Sequence, residues 1–222
     1  DSGTETVDHD KAHQGLTQAT LRGLVRVARH ENASRRIQMI DVDTDSLDAA
    51  SLDMAWSHED EPEIVLRGKE LFIPRIRRMP VTQDATTHVR ALQKGTVLLT
   101  GGTGGLGALT ARHLVEEHGV KHLVLTSRSG MASSGATELK EQLEALGAES
   151  VRIEACDAAK RNEIENLLHS IKPSHPLSGV FHLAGVIDDG LVQEMSEESL
   201  EKVMRPKVDG AWNLHELTAD LD

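Results

Sequence analysis

Residues 96–107 read TVLLTGGTGGLG. The aliphatic and β-branched run Thr96–Thr100 predicts a buried strand, and the helix expected at residues 105–118 begins within the glycines. A strand, a glycine-rich loop and a helix in this order are typical of a dinucleotide-binding loop. Side chains larger than hydrogen would block a pyrophosphate from the backbone N–H groups at the helix N-terminus. The stretch therefore predicts a dinucleotide site on a parallel α/β sheet.

Strands and helices alternate from this loop to the end of the chain. The further predicted elements are strands at residues 122–126, 151–155 and 179–183 and helices at residues 136–146, 160–171 and 197–217. Strict alternation implies right-handed crossovers, so the sequence predicts a doubly wound parallel sheet.

The residues before the loop form a unit of a different kind. Its predicted elements are a helix at residues 16–30, a strand at 36–43, a helix at 47–56 with an N-cap in the Asp-rich run 43–46, and a hairpin of residues 64–67 and 71–76. Pro74 restricts the second hairpin strand to a sheet edge. We expect a disordered leader at residues 1–15, a linker at residues 80–94, and two folded units at residues 16–79 and 95–222.

The composition excludes several classes of function. The 222 residues carry 24 Lys and Arg against 36 Asp and Glu, and the net charge of −12 repels phosphate backbones, so we predict no nucleic-acid partner. A single cysteine, Cys156, rules out a disulfide framework, and the 12 histidines match no zinc-ligand spacing, so we predict no metal. No apolar run is long enough to span a membrane, and the polar N-terminus is no secretory signal. We therefore expect a cytoplasmic protein without a membrane partner.

Residues that follow the later strands are candidates for cofactor contacts. Ser127 and Arg128 end the second strand about twenty residues beyond the glycines, where an acid would bind the ribose diol of NAD and a cation the 2′-phosphate of NADP. Arg128 therefore favours NADP, and a solvated arginine is the alternative. Cys156 and Asp157 end the third strand at the same carboxyl edge. The alternatives there are a small buried apolar residue at Cys156 and a helix cap at Asp157.

The glycine loop fits the motifs of two families. Read on residues 100–107, it resembles the Thr-Gly-x-x-x-Gly-x-Gly motif of the short-chain dehydrogenase/reductase superfamily. Because Gly104 is also a glycine, the loop is similar to the Thr-Gly-x-x-Gly-x-x-Gly motif of sugar-nucleotide epimerases as well. Arg128 and the pair Ala184-Gly185 argue against an epimerase.

Four segments narrow the resemblance to the ketoreductase domain of modular polyketide synthases. They are residues 95–107, 125–128, 180–190 and 205–214. The earlier unit, residues 16–79, resembles part of the noncatalytic structural subdomain that precedes the catalytic one in that family. The resemblance implies a Rossmann-like doubly wound parallel sheet, incomplete at its C-terminal end and preceded by a partial Rossmann-like structural subdomain.

The resemblance also implies the reaction. A β-ketoacyl group on an acyl carrier protein is reduced to a β-hydroxyacyl group with NADPH, so the implied partners are that carrier protein and the other domains of the same synthase. The implied cofactor-binding residues are Thr100, Gly101, Thr103, Gly104, Gly105, Leu106, Gly107, Ser127, Arg128, Cys156, Asp157, His182, Ala184 and Gly185. Lys207 matches the family lysine that favours the phenolate of the catalytic tyrosine and bonds the nicotinamide ribose. A lysine on a solvated helix face is the alternative.

Residues 187–189, Ile-Asp-Asp, resemble the Leu-Asp-Asp signature of B-type ketoreductases. In that family the second aspartate, here Asp189, marks the side from which the tethered substrate enters and hence a D-configured alcohol. Isoleucine keeps the volume and polarity of leucine, so the departure is conservative. The alternative is that Asp188 and Asp189 form a turn in a solvated loop.

The chain contains no tyrosine. In the resembling family the active-site serine and tyrosine follow the region that matches the end of this sequence. We therefore expect a truncated ketoreductase that is inactive by itself, because reduction of a ketone needs a proton donor at the carbonyl oxygen. The alternative function is a noncatalytic structural or cofactor-binding module of the ketoreductase type.

Overall fold

The computed structural model describes residues 16–43, 48–78 and 90–221. The chain divides into two compact units, one formed by residues 1–79 with 190–195 and one formed by residues 80–189 with 196–222. The predicted leader, most of the predicted linker and most of the Asp-rich run 43–46 lie outside the described residues.

The first unit is a small three-stranded sheet with two helices. Its elements are α1 (Leu16–Glu31), β1 (Met39–Val42), α2 (Ala49–Ser57), β2 (Glu63–Arg67) and β3 (Glu70–Phe72). Strand β2 lies in the centre, parallel to β1 and antiparallel to β3. Its core consists of Ala55, Ile64 and Leu66. The predicted hairpin is thus present, with Gly68 at a φ of +60° in its turn.

Among the boundaries of the first unit that differ from the prediction, two have a local cause. Helix α2 begins at Ala49, because the Asp48 side chain accepts a hydrogen bond of 2.7 Å from Ser51 N and caps the helix there. The second hairpin strand ends at Phe72, before Pro74, whose ring removes a backbone donor.

The second unit is an α/β sheet built from the glycine-loop stretch onward. Its elements are β4 (Thr96–Thr100), α3 (Gly105–Glu116), β5 (His122–Ser127), α4 (Ala136–Ala145), β6 (Ser150–Ala155), α5 (Arg161–His169), β7 (Leu177–His182), α6 (Glu197–Lys207) and α7 (Asp209–Thr218). The strand order is β6-β5-β4-β7, and all pairs are parallel. The doubly wound parallel sheet is therefore confirmed. The chain reverses its direction across the sheet between β6 and β7, which opens a crevice at the carboxyl end of β4.

Apolar layers cover both faces of this sheet, which explains why β4 is buried over its whole length. On one face α3 and α4 contribute Leu114, Leu139 and Leu143. On the other face α5 and α7 contribute Ile164 and Leu214.

The end of the predicted linker belongs to this unit. Residues 90–92 are helical, and Leu92 packs against the sheet core. Ser178 Oγ donates a hydrogen bond of 3.2 Å to Leu92 O, and Gln93 Nε2 donates one of 2.8 Å to His118 O. The structure thus differs from the prediction of a linker up to residue 94, because Leu92 finds an apolar partner surface.

The single helix predicted at residues 197–217 is wrong. The segment forms two helices, α6 and α7, that are separated at Val208. Pro206 lacks the backbone N–H that a continuing helix would use. Gly210 lies against the side chain of His182, so a tertiary contact also fixes the position of the break.

Among the described helices, none is both long and apolar enough to cross a bilayer. Over the same described ranges, no group of three or more His, Cys, Asp or Glu side chains is arranged to hold a metal ion.

Candidate functional site

A cavity of about 560 Å³ opens at the carboxyl end of β4. Its walls are the glycine loop, the ends of β5, β6 and β7, and one face of α6. The predicted site residues that line it are Gly101, Thr103, Gly104, Ser127, Arg128, Cys156, Asp157, Ala184 and Gly185. Residues from four separate parts of the sequence therefore converge on one crevice.

The glycines of the loop serve two different purposes. Gly101 has a φ of +67°, and a Cβ there would lie 2.7 Å from Leu183 O. A Cβ on Gly107 would collide with Gly101 O. A Cβ on Gly105 would meet no atom of the described chain within 4 Å. Packing therefore requires glycine at 101 and 107, whereas glycine at 105 leaves open space in front of the backbone.

That open space lies at the first turn of α3. The helix begins at Gly105 with Gly104 as N-cap, and no side chain within the described ranges caps it. The first N–H groups of a helix have no partner inside it, and the helix dipole favours an anion at this end. Leu106 is 66% exposed and leaves the turn accessible. The loop can thus hold a phosphate group through backbone N–H donors.

Arg128 is an exposed cation at the end of β5. No ion pair of Arg128 occurs within the part of the chain that the structure describes. The neighbouring Ser127 Oγ lies 2.8 Å from Ser133 Oγ, which fixes the start of the loop. Arg128 is therefore free to bind an anion that enters the cavity.

The end of β6 holds Cys156 and Asp157 in different environments. Cys156 is 5% exposed, and burial, followed by the charges of Glu163 and Asp157, raises the pKa of its thiol to about 11. This environment fits the alternative of a small buried apolar residue. The Asp157 N–H donates to Glu163 Oε2 at 2.7 Å, and Asp157 Oδ1 accepts from Ala159 N at 3.1 Å.

Helix α6 supplies cavity residues that the sequence did not reveal. They are Glu198, Glu201, Lys202, Arg205 and Pro206. The first four recur at intervals of three and four residues, which places them on one face of a helix. The spacing could have indicated from the sequence that these side chains share a helix face. Only the packing of α6 against the cavity distinguishes this face from an ordinary solvated one.

His182 lies behind the cavity wall with both ring nitrogens engaged. Nδ1 is 2.6 Å from Thr100 Oγ1, and Nε2 is 2.8 Å from Pro206 O. The Thr100 hydroxyl also accepts hydrogen bonds from Leu183 N at 3.2 Å and from Ala184 N at 3.3 Å. Neither Thr100 nor His182 is among the cavity-lining residues, and the engaged ring offers no nitrogen to a cofactor.

Lys207 is the last residue of α6 and is exposed. A Cβ on Gly185 would lie 3.7 Å from Lys207 Cε, so the lysine stem borders the turn that follows β7. Asp188 Oδ2 accepts a hydrogen bond of 3.0 Å from Lys202 Nζ, whereas Asp189 is exposed. Lys207, Asp188 and Asp189 therefore lie near the cavity without lining it.

The strand order, the glycine loop and the crevice at the carboxyl end of β4 define a Rossmann-like domain of the short-chain dehydrogenase/reductase superfamily. Within that superfamily the chain belongs to the KR domain family, the ketoreductase domains of modular polyketide synthases, whose model matches residues 95–222. Residues 2–76 match a second model, "Polyketide synthase extender module SpnB, Rossmann fold domain". The resemblance inferred from the sequence is confirmed.

Two curated relatives show the extent of the similarity. The spectinabilin polyketide synthase system protein NorA' of Streptomyces orinoci is 44% identical over 220 residues, which are 99% of this chain and 6% of that protein. Erythronolide synthase EryA2 of Saccharopolyspora erythraea is 56% identical over 126 residues, which are 57% of this chain and 3% of that protein. The chain thus spans a few per cent of the length of the curated relatives it matches.

Solved structures share the fold. One described as "Structure of A-type Ketoreductases from Modular Polyketide Synthase" has a TM-score of 0.81 and 40% identity, and a C2-type ketoreductase has a TM-score of 0.74 and 29% identity. In both cases the alignment covers 92% of this chain and 44% of the solved chain.

Proposed function

We propose that this chain provides the NADPH-binding part of a ketoreductase that reduces a β-ketoacyl group on an acyl carrier protein to a β-hydroxyacyl group. One observation carries the proposal: Gly104, the N-cap of the open helix α3, and the cation Arg128 line the same cavity, and Arg128 has no ion pair among the residues that the structure describes. A ligand with two separated anionic groups fits this arrangement, and NADPH is such a ligand. The other domains of the same synthase are the further partners that we propose.

The residues present fit the cofactor part by part. The pyrophosphate would accept hydrogen bonds from the first N–H groups of α3, in the space that Gly105 leaves open. The 2′-phosphate would bind the Arg128 guanidinium, which matches phosphate geometry. Asp157 would contact the adenine, as the family resemblance implies, and the Ala184-Gly185 turn would lie along the cofactor. When bound, NADPH supplies the hydride for the reduction.

Lys207 is the catalytic residue that this chain contributes. Its stem borders Gly185, beside the turn that would lie along the cofactor. From there its ammonium would bond the nicotinamide ribose and favour the phenolate of a nearby tyrosine. The 222 residues contain no tyrosine, so they hold no phenol that could serve as the proton donor.

We therefore expect the isolated 222-residue chain to bind NADPH without turnover. A β-ketoacyl thioester is added, and the loss of NADPH absorbance is followed against a reaction without protein. A rate above that background which disappears in Lys207→Met would contradict this expectation. The second candidate function, a noncatalytic cofactor-binding module, is favoured by the missing tyrosine alone. Turnover by the full-length protein distinguishes the two, since only the ketoreductase reduces the ketone.

Cofactor choice is tested at Arg128. Arg128→Ala removes a charge-assisted contact to the 2′-phosphate, a loss of about 1.5–3 kcal/mol that weakens NADPH binding roughly ten- to hundredfold. NADH binding should be unchanged, because NADH lacks this phosphate. Arg112→Ala is the matched control. Arg112 lies on α3, is not among the residues that line the cavity, and donates a hydrogen bond of 2.7 Å to Gln142 Oε1. Equal dissociation constants for NADPH and NADH in the wild-type chain would refute the assignment.

The stereochemical proposal rests on Asp189. We propose a B-type reduction that gives a D-configured alcohol, because residues 187–189 match the B-type signature with a conservative change at Ile187. The A-type and C2-type designations belong to the solved relatives that carry them. Chiral analysis of the alcohol made by the full-length protein tests this proposal, and a predominantly L-configured product would leave Asp189 as a turn residue only.

A further inference from the structure

The hydrogen bonds of His182 define its tautomer. A carbonyl oxygen can only accept, so Nε2 must carry the hydrogen that is donated to Pro206 O at 2.8 Å. The Thr100 hydroxyl accepts from two backbone N–H groups, Leu183 N and Ala184 N, so its own hydrogen points to Nδ1 at 2.6 Å. The two deductions agree on a neutral ring with the hydrogen on Nε2.

The carbonyl that accepts this bond lies at the end of α6, where the helix needs a donor from outside. The last carbonyl groups of a helix have no partner inside it, and Pro206 is the penultimate residue of α6. Met204 O is satisfied by Val208 N at 2.7 Å, and Pro206 O is bonded by the His182 ring. The ring thus supports the end of α6 at the point where the helical segment is interrupted before α7.

Close packing holds the ring in this position. A Cβ on Gly210 would lie 3.0 Å from His182 Cε1 and 3.2 Å from Nε2, so any other residue there would push the ring or the start of α7 by a few tenths of an ångström. Thr100, on the opposite side of the ring, is fully buried. The ring is therefore clamped between the end of β4 and the break between α6 and α7.

Lys207 directly follows Pro206. A displacement of the Pro206 carbonyl would move the lysine with it, because consecutive residues share one peptide plane. We propose that His182 is a positioning residue: through its Nε2–H bond to Pro206 O, it fixes the helix break and thereby the place of Lys207 beside Gly185. This inference rests on the proposed function for the role of Lys207. It also means that His182 is not one of the residues that contact the cofactor.

Two variants separate the two bonds of the ring. In His182→Gln the amide nitrogen reaches about as far as Nε2 and keeps the donor to Pro206 O. In His182→Asn the shorter side chain keeps a partner for Thr100 Oγ1 but does not reach Pro206 O. A general packing role would make both variants similarly defective, whereas the positioning role spares Gln.

In the full-length protein we expect His182→Asn to lower kcat about ten- to hundredfold, since a small misplacement of a catalytic group has effects of that order. KM for the acyl thioester and the Kd for NADPH should stay within about twofold, because the cavity lining is unchanged. His182→Gln should recover most of kcat. Equal losses of kcat in the two variants, or a weaker NADPH Kd that accounts for the loss, would overturn the proposal.

Two measurements on the 222-residue chain need neither turnover nor cofactor. Nitrogen-15 NMR of the wild-type imidazole should show Nδ1 without and Nε2 with hydrogen, and the opposite tautomer would overturn the proposal even if a variant fails to fold. Amide hydrogen exchange at residues 207–210 should be faster in His182→Asn than in His182→Gln, and equal rates would count against it. If the full-length wild type reduces no ketone, the proposed function fails. These two measurements still decide whether His182 fixes the interruption between α6 and α7.

Discussion

Arg205 faces Asp157 across the cavity, with its Nη2 atom 3.7 Å from Asp157 Oδ2. The pair joins the wall formed by α6 to the wall formed by the end of β6. Both side chains are partly exposed, so the pair contributes little to stability, about 0–1 kcal/mol. Because the pair lies beside the proposed adenosine site, we expect it to affect the binding of an anionic ligand more than it affects the stability of the fold.

The first prediction concerns this pair. Arg205→Gln removes a cation and leaves the Asp157 charge uncompensated, so NADPH binding should weaken about three- to tenfold at low salt. The difference should shrink as the salt concentration rises, because ions screen partly exposed charges. Fluorescence titration at two salt concentrations measures this. Arg161→Gln is the control, since Arg161 pairs with Glu216 outside the cavity lining. An unchanged Kd for NADPH in Arg205→Gln would show that this charge does not act on the ligand.

The second prediction concerns the Cys156 thiol. Its pKa of about 11 means that the thiolate is rare at pH 8, and its side chain is buried. Iodoacetamide should therefore alkylate Cys156 slowly in the native chain and rapidly in denaturant. Mass spectrometry of timed samples gives both rates. Fast native alkylation would mean that the end of β6 opens more readily than the packing of Cys156 indicates.

The third prediction concerns acid stability. The rings of His122 and His175 stack with centroids 3.8 Å apart. Burial, and then the positive charge that His175 would carry, lower the pKa of His122, while Glu149 opposes this shift. Because the folded-state pKa lies below the unfolded value, this contribution to stability is present above a pH of about 6.5 and is lost as the pH falls through the folded pKa.

We therefore expect the melting temperature to fall between pH 7 and pH 5, and to fall less steeply in His122→Phe, which keeps a ring in the stack without a titratable nitrogen. Melting curves at several pH values test this. His30→Phe on α1 controls for the loss of an exposed imidazole. Parallel pH dependences in the wild type and His122→Phe would show that other groups dominate.

The fourth prediction concerns the loop that carries Asp188 and Asp189. Lys202 Nζ binds Asp188 Oδ2 at 3.0 Å and ties this loop to α6. If the loop guides the substrate, Lys202→Met should increase the minor enantiomer of the alcohol, while stability changes by only about 0–1 kcal/mol. Chiral chromatography of the product from the full-length protein measures the ratio. Lys140→Met, which removes a pair with Glu144 on α4, is the control. An unaltered enantiomer ratio would show that the contact between Lys202 and Asp188 does not influence which face of the ketone is reduced.

Local sequence signals predicted the parts of this fold that burial determines. Strand β4 was predicted to the residue, because a run buried on both faces reads as continuous apolar sequence. The break at Val208 was missed although Pro206 is a local signal for it, because the close contact between Gly210 and His182 joins residues that are distant in sequence. Lys202 and Arg205 were missed for a related reason: a charged helix face becomes a cavity wall only through the packing of α6.

Missense variants at the packed glycines of the loop and at the glycine that faces open space should differ in how much protein accumulates. A side chain at Gly101 or Gly107 strikes Leu183 O or Gly101 O, so a carrier of such an allele should show little protein, because destabilised chains are removed by proteolysis. A Cβ at Gly105 meets no described atom within 4 Å, so that variant should keep normal abundance, and it should lose NADPH binding if the proposed pyrophosphate site is correct. Screens that read only expression level would classify the second allele as harmless.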